Sequence, residues 1–294
     1  MRKDLGFRLY GIFGYPLSHT LSPRMQEAAF SKYGLKAFYL TLELRPRDFQ
    51  KLIRKLDRFL IDGFNVTVPY KETVFQVLCH LTAEARAMKA VNTVFRRKNR
   101  WVGTNTDVGG FLDSLRFEGR FTPKGKTVLV LGAGGSARAV VYGLAEKKAK
   151  KIYIFNRHPQ RARRIAGDYK KLFRKVEFEV VSSKNGVKEL IEEASLVVNA
   201  TSVGLKKNDP SLIPISWIPK AKTKKLFMDL IYRPRETKFL KNARRRGYRT
   251  LNGSGMLLFQ GARSFEMWTQ KKAPLSVMRS ALMEAFKEKE REKF

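Results

Sequence analysis

The segment Lys126-Thr127-Val128-Leu129-Val130-Leu131 runs directly into Gly132-Ala133-Gly134-Gly135-Ser136-Ala137. A continuous apolar run rich in β-branched residues is the pattern of a strand buried on both faces. A helix follows from about Ser136 to Lys147, and Lys151-Ile152-Tyr153-Ile154-Phe155 reads as a second strand. Strand, tight glycine turn, helix and strand make a crossover unit, which packs with one hand onto a parallel sheet. Further strand-like segments at Val176–Val181, Leu196–Asn199 and Leu226–Leu230 extend the alternation. The segment therefore predicts an α/β unit whose strands are buried on both faces.

The glycine turn has the form G-x-G-x-x-A in its proper context. Gly132 permits the tight turn, Gly134 lets backbone approach a pyrophosphate, and small Ala137 allows close helix–strand contact. Gly135 and Ser136, with Ala133 between the first two glycines, bring helix N-terminal N–H groups to the phosphates. The alternative is a glycine-rich turn with no ligand. The second strand ends in Asn156-Arg157-His158. A dinucleotide site for NAD places a carboxylate there, for the ribose 2′-hydroxyl. A guanidinium stands there instead, and it suits a 2′-phosphate. Asn156 and Arg157 thus point to NADP.

The remaining sequence reads as a separate α/β unit. Arg8–Gly14 is a short strand. Ser22 suits a helix N-cap and Pro23 the first helical position, with the helix running to about Tyr33. Phe38–Leu44 alternates like a strand, Asp48–Phe59 is an amphipathic helix, and Gly63–Val68 is another strand. This order predicts a mostly parallel sheet. Val91–Phe95 and Trp101–Gly103 read as a hairpin across the polar Arg96–Arg100. A boundary falls near Asp107-Val108-Gly109-Gly110, followed by a bridging helix from about Val108 to Arg116. The last portion, from about Met256, is helical. The expected domains are residues 1–107, 108–251 and a helical 252–294.

Composition narrows the functional classes. The chain has 294 residues, 43% of them hydrophobic, which supports two ordinary cores. No apolar stretch approaches the ~20 residues of a membrane span. The single Cys79 suggests a reducing compartment, and with His19, His80 and His158 scattered, no metal site is expected. The net charge is +34, and residues 108–251 carry 33 Lys/Arg against 12 Asp/Glu, a net of +21. A polyanionic cofactor is steered toward such a surface. The basic runs lack interleaved aromatic residues, so no specific nucleic-acid partner is expected.

Asn65-Val66-Thr67-Val68-Pro69-Tyr70-Lys71 ends an apolar strand with a proline and a lone lysine. Gly103-Thr104-Asn105-Thr106-Asp107 ends another with a lone carboxylate. Both follow strand-like segments, so both suit one edge of the first sheet, where α/β ligands gather. Lys71 and Asp107 can then serve as an acid–base pair for hydride chemistry on a secondary alcohol. Spacing alone leaves open which of the two moves the proton. Thr20, Ser22, Thr67, Asn92 and Gln260 stand at structure-breaking points, and their hydroxyls and amides suit a neutral polyol ring.

These motifs resemble the shikimate dehydrogenase family over essentially the whole chain. The resemblance is carried by Gly14–Pro23, Asn65–Lys71, Ala90–Thr93, Gly103–Asp107, the glycine turn, Asn156-Arg157, Asn199–Gly204, Asp229–Tyr232 and Gly253–Gln260. It implies an α/β protein with an N-terminal substrate domain, a Rossmann-type NADP domain, and C-terminal helices returning to the first domain. It implies reversible NADPH-dependent reduction of 3-dehydroshikimate to shikimate, in aromatic amino-acid biosynthesis, with Lys71 and Asp107 catalytic. Thr20, Ser22, Thr67, Lys71, Asn92, Asp107, Tyr232 and Gln260 are the implied substrate contacts. Thr201, Ser202, Val203 and Gly253 are implied on the nicotinamide side. The enzyme is expected in the cytoplasm, as a monomer or homodimer. Two departures stand out: Thr20 replaces the family's usual serine, and His158 replaces a hydroxyl residue after Asn156-Arg157. A quinate/shikimate dehydrogenase using NAD is the alternative. A basic nucleic-acid-binding protein on the same scaffold is a more distant one.

Overall fold

The computed structural model describes residues 6–17, 20–206 and 208–291. The chain divides into two compact units, Met1–Thr106 with Leu258–Phe294, and Asp107–Leu257. Asp107 is thus the first residue of the second unit, where the sequence reading places it at the end of the first.

The first unit contains β1 (Arg8–Gly14), α1 (Ser22–Lys32), β2 (Ala37–Glu43), α2 (Pro46–Ile53), β3 (Gly63–Val66), α3 (Lys71–Val77), β4 (His80–Leu81), α4 (Ala83–Met88), β5 (Thr93–Arg97) and β6 (Arg100–Thr104). Its sheet has the order β2-β1-β3-β5-β6-β4. All strands run one way except β5, which pairs antiparallel with β3 and β6. The reversal comes from a two-residue turn. Lys98 (φ 47°) and Asn99 (φ 61°) both take positive φ, the geometry that matches strand twist in a tight hairpin. With that tight turn β5 ends at Arg97, two residues later than expected, and β6 starts at Arg100, one residue earlier. One core of this unit gathers Phe13, Phe49, Phe64, Tyr70 and Val94.

Two local expectations are corrected. Ser22 is not the cap of α1: Leu21 holds that position, with no side-chain cap, and Ser22 is already helical. The helix expected over Asp48–Phe59 instead opens at Pro46, which sits in its first turn, and stops at Ile53 before a single 3₁₀ turn, Leu56–Arg58.

The second unit contains α5 (Asp107–Asp113), β7 (Thr127–Leu131), α6 (Gly135–Glu146), β8 (Lys151–Phe155), α7 (Pro159–Leu172), β9 (Glu177–Val181), α8 (Lys184–Glu193), β10 (Leu196–Asn199), β11 (Leu226–Asp229), α9 (Lys238–Arg245) and β12 (Arg249–Leu251). The bridging helix is α5, which passes into a wider π-type turn, Ser114–Glu118. The sheet is parallel in the order β12-β11-β10-β7-β8-β9. Alternate residues feed two cores. Val128, Val130, Ile152 and Ile154 face one side, and Leu129, Leu131, Tyr153 and Val197 the other. That explains the unbroken apolar run of β7. The chain leaves β7 in one direction to β8 and β9 and in the other to β10, β11 and β12. Strand order therefore reverses at β7, and its carboxyl end is where ligands of such sheets bind. Helix α10 (Ser254–Thr269) is followed by α11 (Leu275–Arg291), which packs on α1.

Candidate active site

The carboxyl ends of β1, β3 and β6 and the amino end of antiparallel β5 share one edge of the first sheet. Thr67 leaves β3 there, its N–H donating to the Phe13 carbonyl (2.9 Å). It lies so close to Gly14 that a Cβ on that glycine would meet Thr67 Cγ2 at 2.4 Å. Lys71, half-buried, opens α3, and its carbonyl accepts the Val91 N–H (2.9 Å). The next residue, Asn92, is buried. Its Oδ1 accepts the Thr106 N–H (2.7 Å), and its Nδ2 donates to the Thr106 hydroxyl (3.0 Å). That pair fixes the residue immediately before Asp107. The Thr106 hydroxyl also reaches Gln260 Oε1 on α10 (3.5 Å).

A buried polar chain underlies this edge. The Tyr39 hydroxyl donates to Asn65 Oδ1 (2.8 Å). Asn65 Nδ2 donates to Thr93 Oγ1 (2.9 Å), Ser264 Oγ (3.0 Å) and the Asn92 carbonyl (3.2 Å). Ser22 bonds the Tyr39 phenol, whose pKa burial pushes far upward, so it stays a neutral donor. The Ser22 N–H in turn donates to the Thr20 hydroxyl (3.4 Å). Thr20, Ser22, Thr67, Lys71, Asn92 and Gln260 thus belong to the first unit, and six of its loops and helices carry them. Asp107, buried, and Tyr232, half-buried, belong to the second. Burial raises the Tyr232 pKa. His19 lies outside the described residues.

Sequence reasoning missed the inner members of this chain, Tyr39, Thr93, Thr106 and Ser264. Ser264 is fully buried one helical turn beyond Gln260 and offers no sequence signal. Asn65 did carry one: it is an amide inside an otherwise apolar strand.

In the second unit Gly132 has φ +117°, and a Cβ there would stand 2.7 Å from the Ala200 carbonyl oxygen. The glycine is required by the backbone alone. Gly134 and Gly135 differ. Both are exposed, and a Cβ on either meets nothing within 4 Å. Gly134 is the N-cap of α6, so open space lies where helix N–H groups point outward. Ala137 is fully buried against the sheet. Ala133 and Ser136 are half-buried at the turn. Past β8, Arg157 is exposed, and Asn156 Nδ2 donates to the His158 carbonyl (3.0 Å), which holds the turn. These residues fit a phosphorylated dinucleotide: room at the glycines, donors at the helix end, a cation and no carboxylate after β8. Thr201, Ser202 and Val203 follow β10. The Thr201 N–H and hydroxyl both donate to Asn199 Oδ1 (2.9 and 2.7 Å), and the Thr201 hydroxyl accepts the Val203 N–H (3.1 Å). Gly253 donates its N–H to the Ile231 carbonyl (3.0 Å), and a Cβ on it would overlap the Leu230 oxygen at 1.9 Å.

Residues 12–94 match the shikimate dehydrogenase substrate binding domain, residues 117–239 the shikimate/quinate 5-dehydrogenase domain, and residues 253–283 the shikimate 5′-dehydrogenase C-terminal domain. A shikimate dehydrogenase (NADP(+)) from Methanopyrus kandleri is 37% identical over 281 residues, 96% of this chain and 97% of the relative. The chain belongs to the shikimate dehydrogenase family. Solved members share its fold. The shikimate 5-dehydrogenase of Thermus thermophilus, in complex with NADP(H) and shikimate, has a TM-score of 0.83 at 34% identity, covering 95% of this chain and 100% of that one. The quinate dehydrogenase of Corynebacterium glutamicum, in complex with NAD, has a TM-score of 0.86 at 29% identity, covering 95% and 99%. Membership gives an α/β oxidoreductase acting on a secondary alcohol. Among the described residues no helix is long and apolar enough to cross a membrane, and no group of three or more His, Cys, Asp or Glu is placed to hold a metal.

Proposed function

We propose that this chain is a cytoplasmic NADP-dependent shikimate dehydrogenase, acting as a monomer or homodimer. It reduces 3-dehydroshikimate to shikimate reversibly, in aromatic amino-acid biosynthesis. The first unit is the substrate domain and the second the cofactor domain. The observation that carries the reading is similarity over 96% of the chain to an NADP-dependent shikimate dehydrogenase, joined to open space at Gly134 and a cation, not a carboxylate, after β8.

The bound nicotinamide supplies a hydride acceptor or donor. Everything else falls to side chains. In oxidation, the carbinol carbon loses hydrogen with its bonding pair and the hydroxyl proton goes to the Lys71–Asp107 pair, leaving a carbonyl. In reduction the pair returns the proton. Thr20, Ser22, Thr67, Asn92, Tyr232 and Gln260 bind and orient the ring substituents. Gly132, Gly134 and Gly135, with Ala133, Ser136 and Ala137, form the pyrophosphate turn. Asn156 and Arg157 hold the 2′-phosphate. Thr201, Ser202, Val203 and Gly253 border the nicotinamide.

An absorbance assay at 340 nm with shikimate or quinate, each with NADP+ or NAD+, tests this. The expected result is the highest kcat/KM for shikimate with NADP+. A preference for quinate with NAD+ refutes it in favour of the NAD-linked quinate enzyme. Lys71→Ala should lower kcat by about 10²–10⁴-fold while NADPH binding persists. Unchanged turnover removes Lys71 from its role.

A further inference from the structure

Asn199 and Asp229 end neighbouring strands and face each other in register at the carboxyl edge of the second sheet. Asp229 is fully buried, and the mechanism above does not use it. Oδ1 accepts from Asn199 Nδ2 (3.0 Å) and from the Ile231 N–H (3.0 Å), and Oδ2 accepts the Thr237 hydroxyl (2.6 Å). Each donor leads to a different loop. Asn199 passes the constraint to Thr201 and, through the Thr201 hydroxyl, to Val203. Its Nδ2 also holds the Val203 carbonyl (3.2 Å). Ile231 precedes Tyr232, and its carbonyl accepts the Gly253 N–H. Thr237 caps α9 by accepting the Leu240 N–H (3.3 Å). A carboxylate has no donors, so all three groups must point at it, which fixes the direction of every bond in the set.

We propose that Asp229 is the positioning residue of the nicotinamide side of the site, keying the 200–204 turn and, through Ile231, Gly253 to one buried carboxylate. The proposal rests on the functional reading above. Asp229 touches neither cofactor nor substrate; it sets the placement of the residues that do. A loop held by one internal anchor keeps its geometry within the tolerance that hydride transfer needs.

The test uses the full chain and four variants. Asp229→Asn keeps one acceptor oxygen toward Asn199 and Ile231. Asp229→Ala removes the anchor. Thr237→Val removes one donor at a point away from the cofactor, with Thr237→Ser restoring the hydroxyl. Steady-state kinetics are read for NADP+ and shikimate separately, with the deuterium isotope effect for shikimate labelled at the carbinol carbon. Asp229→Ala should raise the NADP+ KM about tenfold, as one lost buried bond set implies. It should also increase the isotope effect, and leave the shikimate KM within about twofold. Thr237→Val should move the same quantities about threefold, Asp229→Asn, whose amide cannot accept the Thr237 hydroxyl, about as much, and Thr237→Ser should lie near wild type. If Asp229→Ala fails to fold, Thr237→Val decides alone. Equal changes in both KM values, or an unchanged isotope effect, overturn the proposal. A wild-type protein inactive on shikimate would refute the functional reading instead, so the two failures are distinct.

Discussion

Replacing Gly134 by alanine separates what the glycine turn does for the fold from what it does for the ligand. Gly134 has φ −89° and ψ −172°, values any residue adopts. Its new methyl would meet no protein atom within 4 Å. The fold loses only the N-cap advantage of glycine over alanine, about 0.5–1 kcal/mol. For a unit of this size that is a midpoint drop of roughly 1–4 °C. The ligand fares worse, because the methyl occupies the space a pyrophosphate oxygen needs to reach the helix N–H groups. Losing one charge-assisted bond of about 1.5–3 kcal/mol raises Kd about 10–100-fold. Calorimetric titration with NADP+, alongside thermal unfolding, measures both. Gly132→Ala provides the contrast: positive φ and a 2.7 Å approach to Ala200 predict about 2–3 kcal/mol of lost stability. A Gly134→Ala protein that binds NADP+ within twofold of wild type would overturn this account, since nothing else occupies that space.

Three further outcomes are expected. Arg157→Ala should weaken NADP+ binding about tenfold or more and change NAD+ binding less than about twofold; equal losses for both would remove Arg157 from the 2′-phosphate. Burial raises the Asp229 carboxyl above its usual range, so the folded chain holds that proton more tightly than the unfolded chain. The associated stability is full below about pH 4 and is lost as pH rises through the folded value. The midpoint of Asp229→Asn, which lacks this titration, should therefore improve relative to wild type as pH rises above about 4, and a constant difference would contradict the shift. Asn65→Leu strands Tyr39, Thr93 and Ser264 without their shared amide. It should destabilise the first unit by about 2–4 kcal/mol in urea unfolding, and a loss under about 0.5 kcal/mol would show the polar chain to be dispensable.

Local signals were strong where hydrogen bonding and burial coincide with short stretches of chain. β7, β8 and β10 are apolar runs that sit in the centre of the second sheet, so their burial on two faces is written directly in their composition. The glycine turn is likewise local, because φ at Gly132 is a property of one residue. The hairpin of β5 and β6 was legible as a pair of strands, but its register waited on the two positive-φ residues. The short helices α3 and α4 were not legible. Seven and six residues give too few turns for a period, and helices that short form only when packed. β12, three residues long, exists as a strand because β11 offers it an edge.

Neighbours a few positions apart were enough to specify the α/β class, the crossover at β7, the glycine turn, and the residue types able to move a proton and hold a phosphate. Which polar groups lie beneath them depended on the folded chain. Ser264 meets Asn65 across 199 residues, and Asp229 gathers donors from three segments. Such groups are buried by partners distant in the chain, and a buried polar group is tolerable only where those partners arrive. Their role therefore becomes readable only once the fold has brought the segments together.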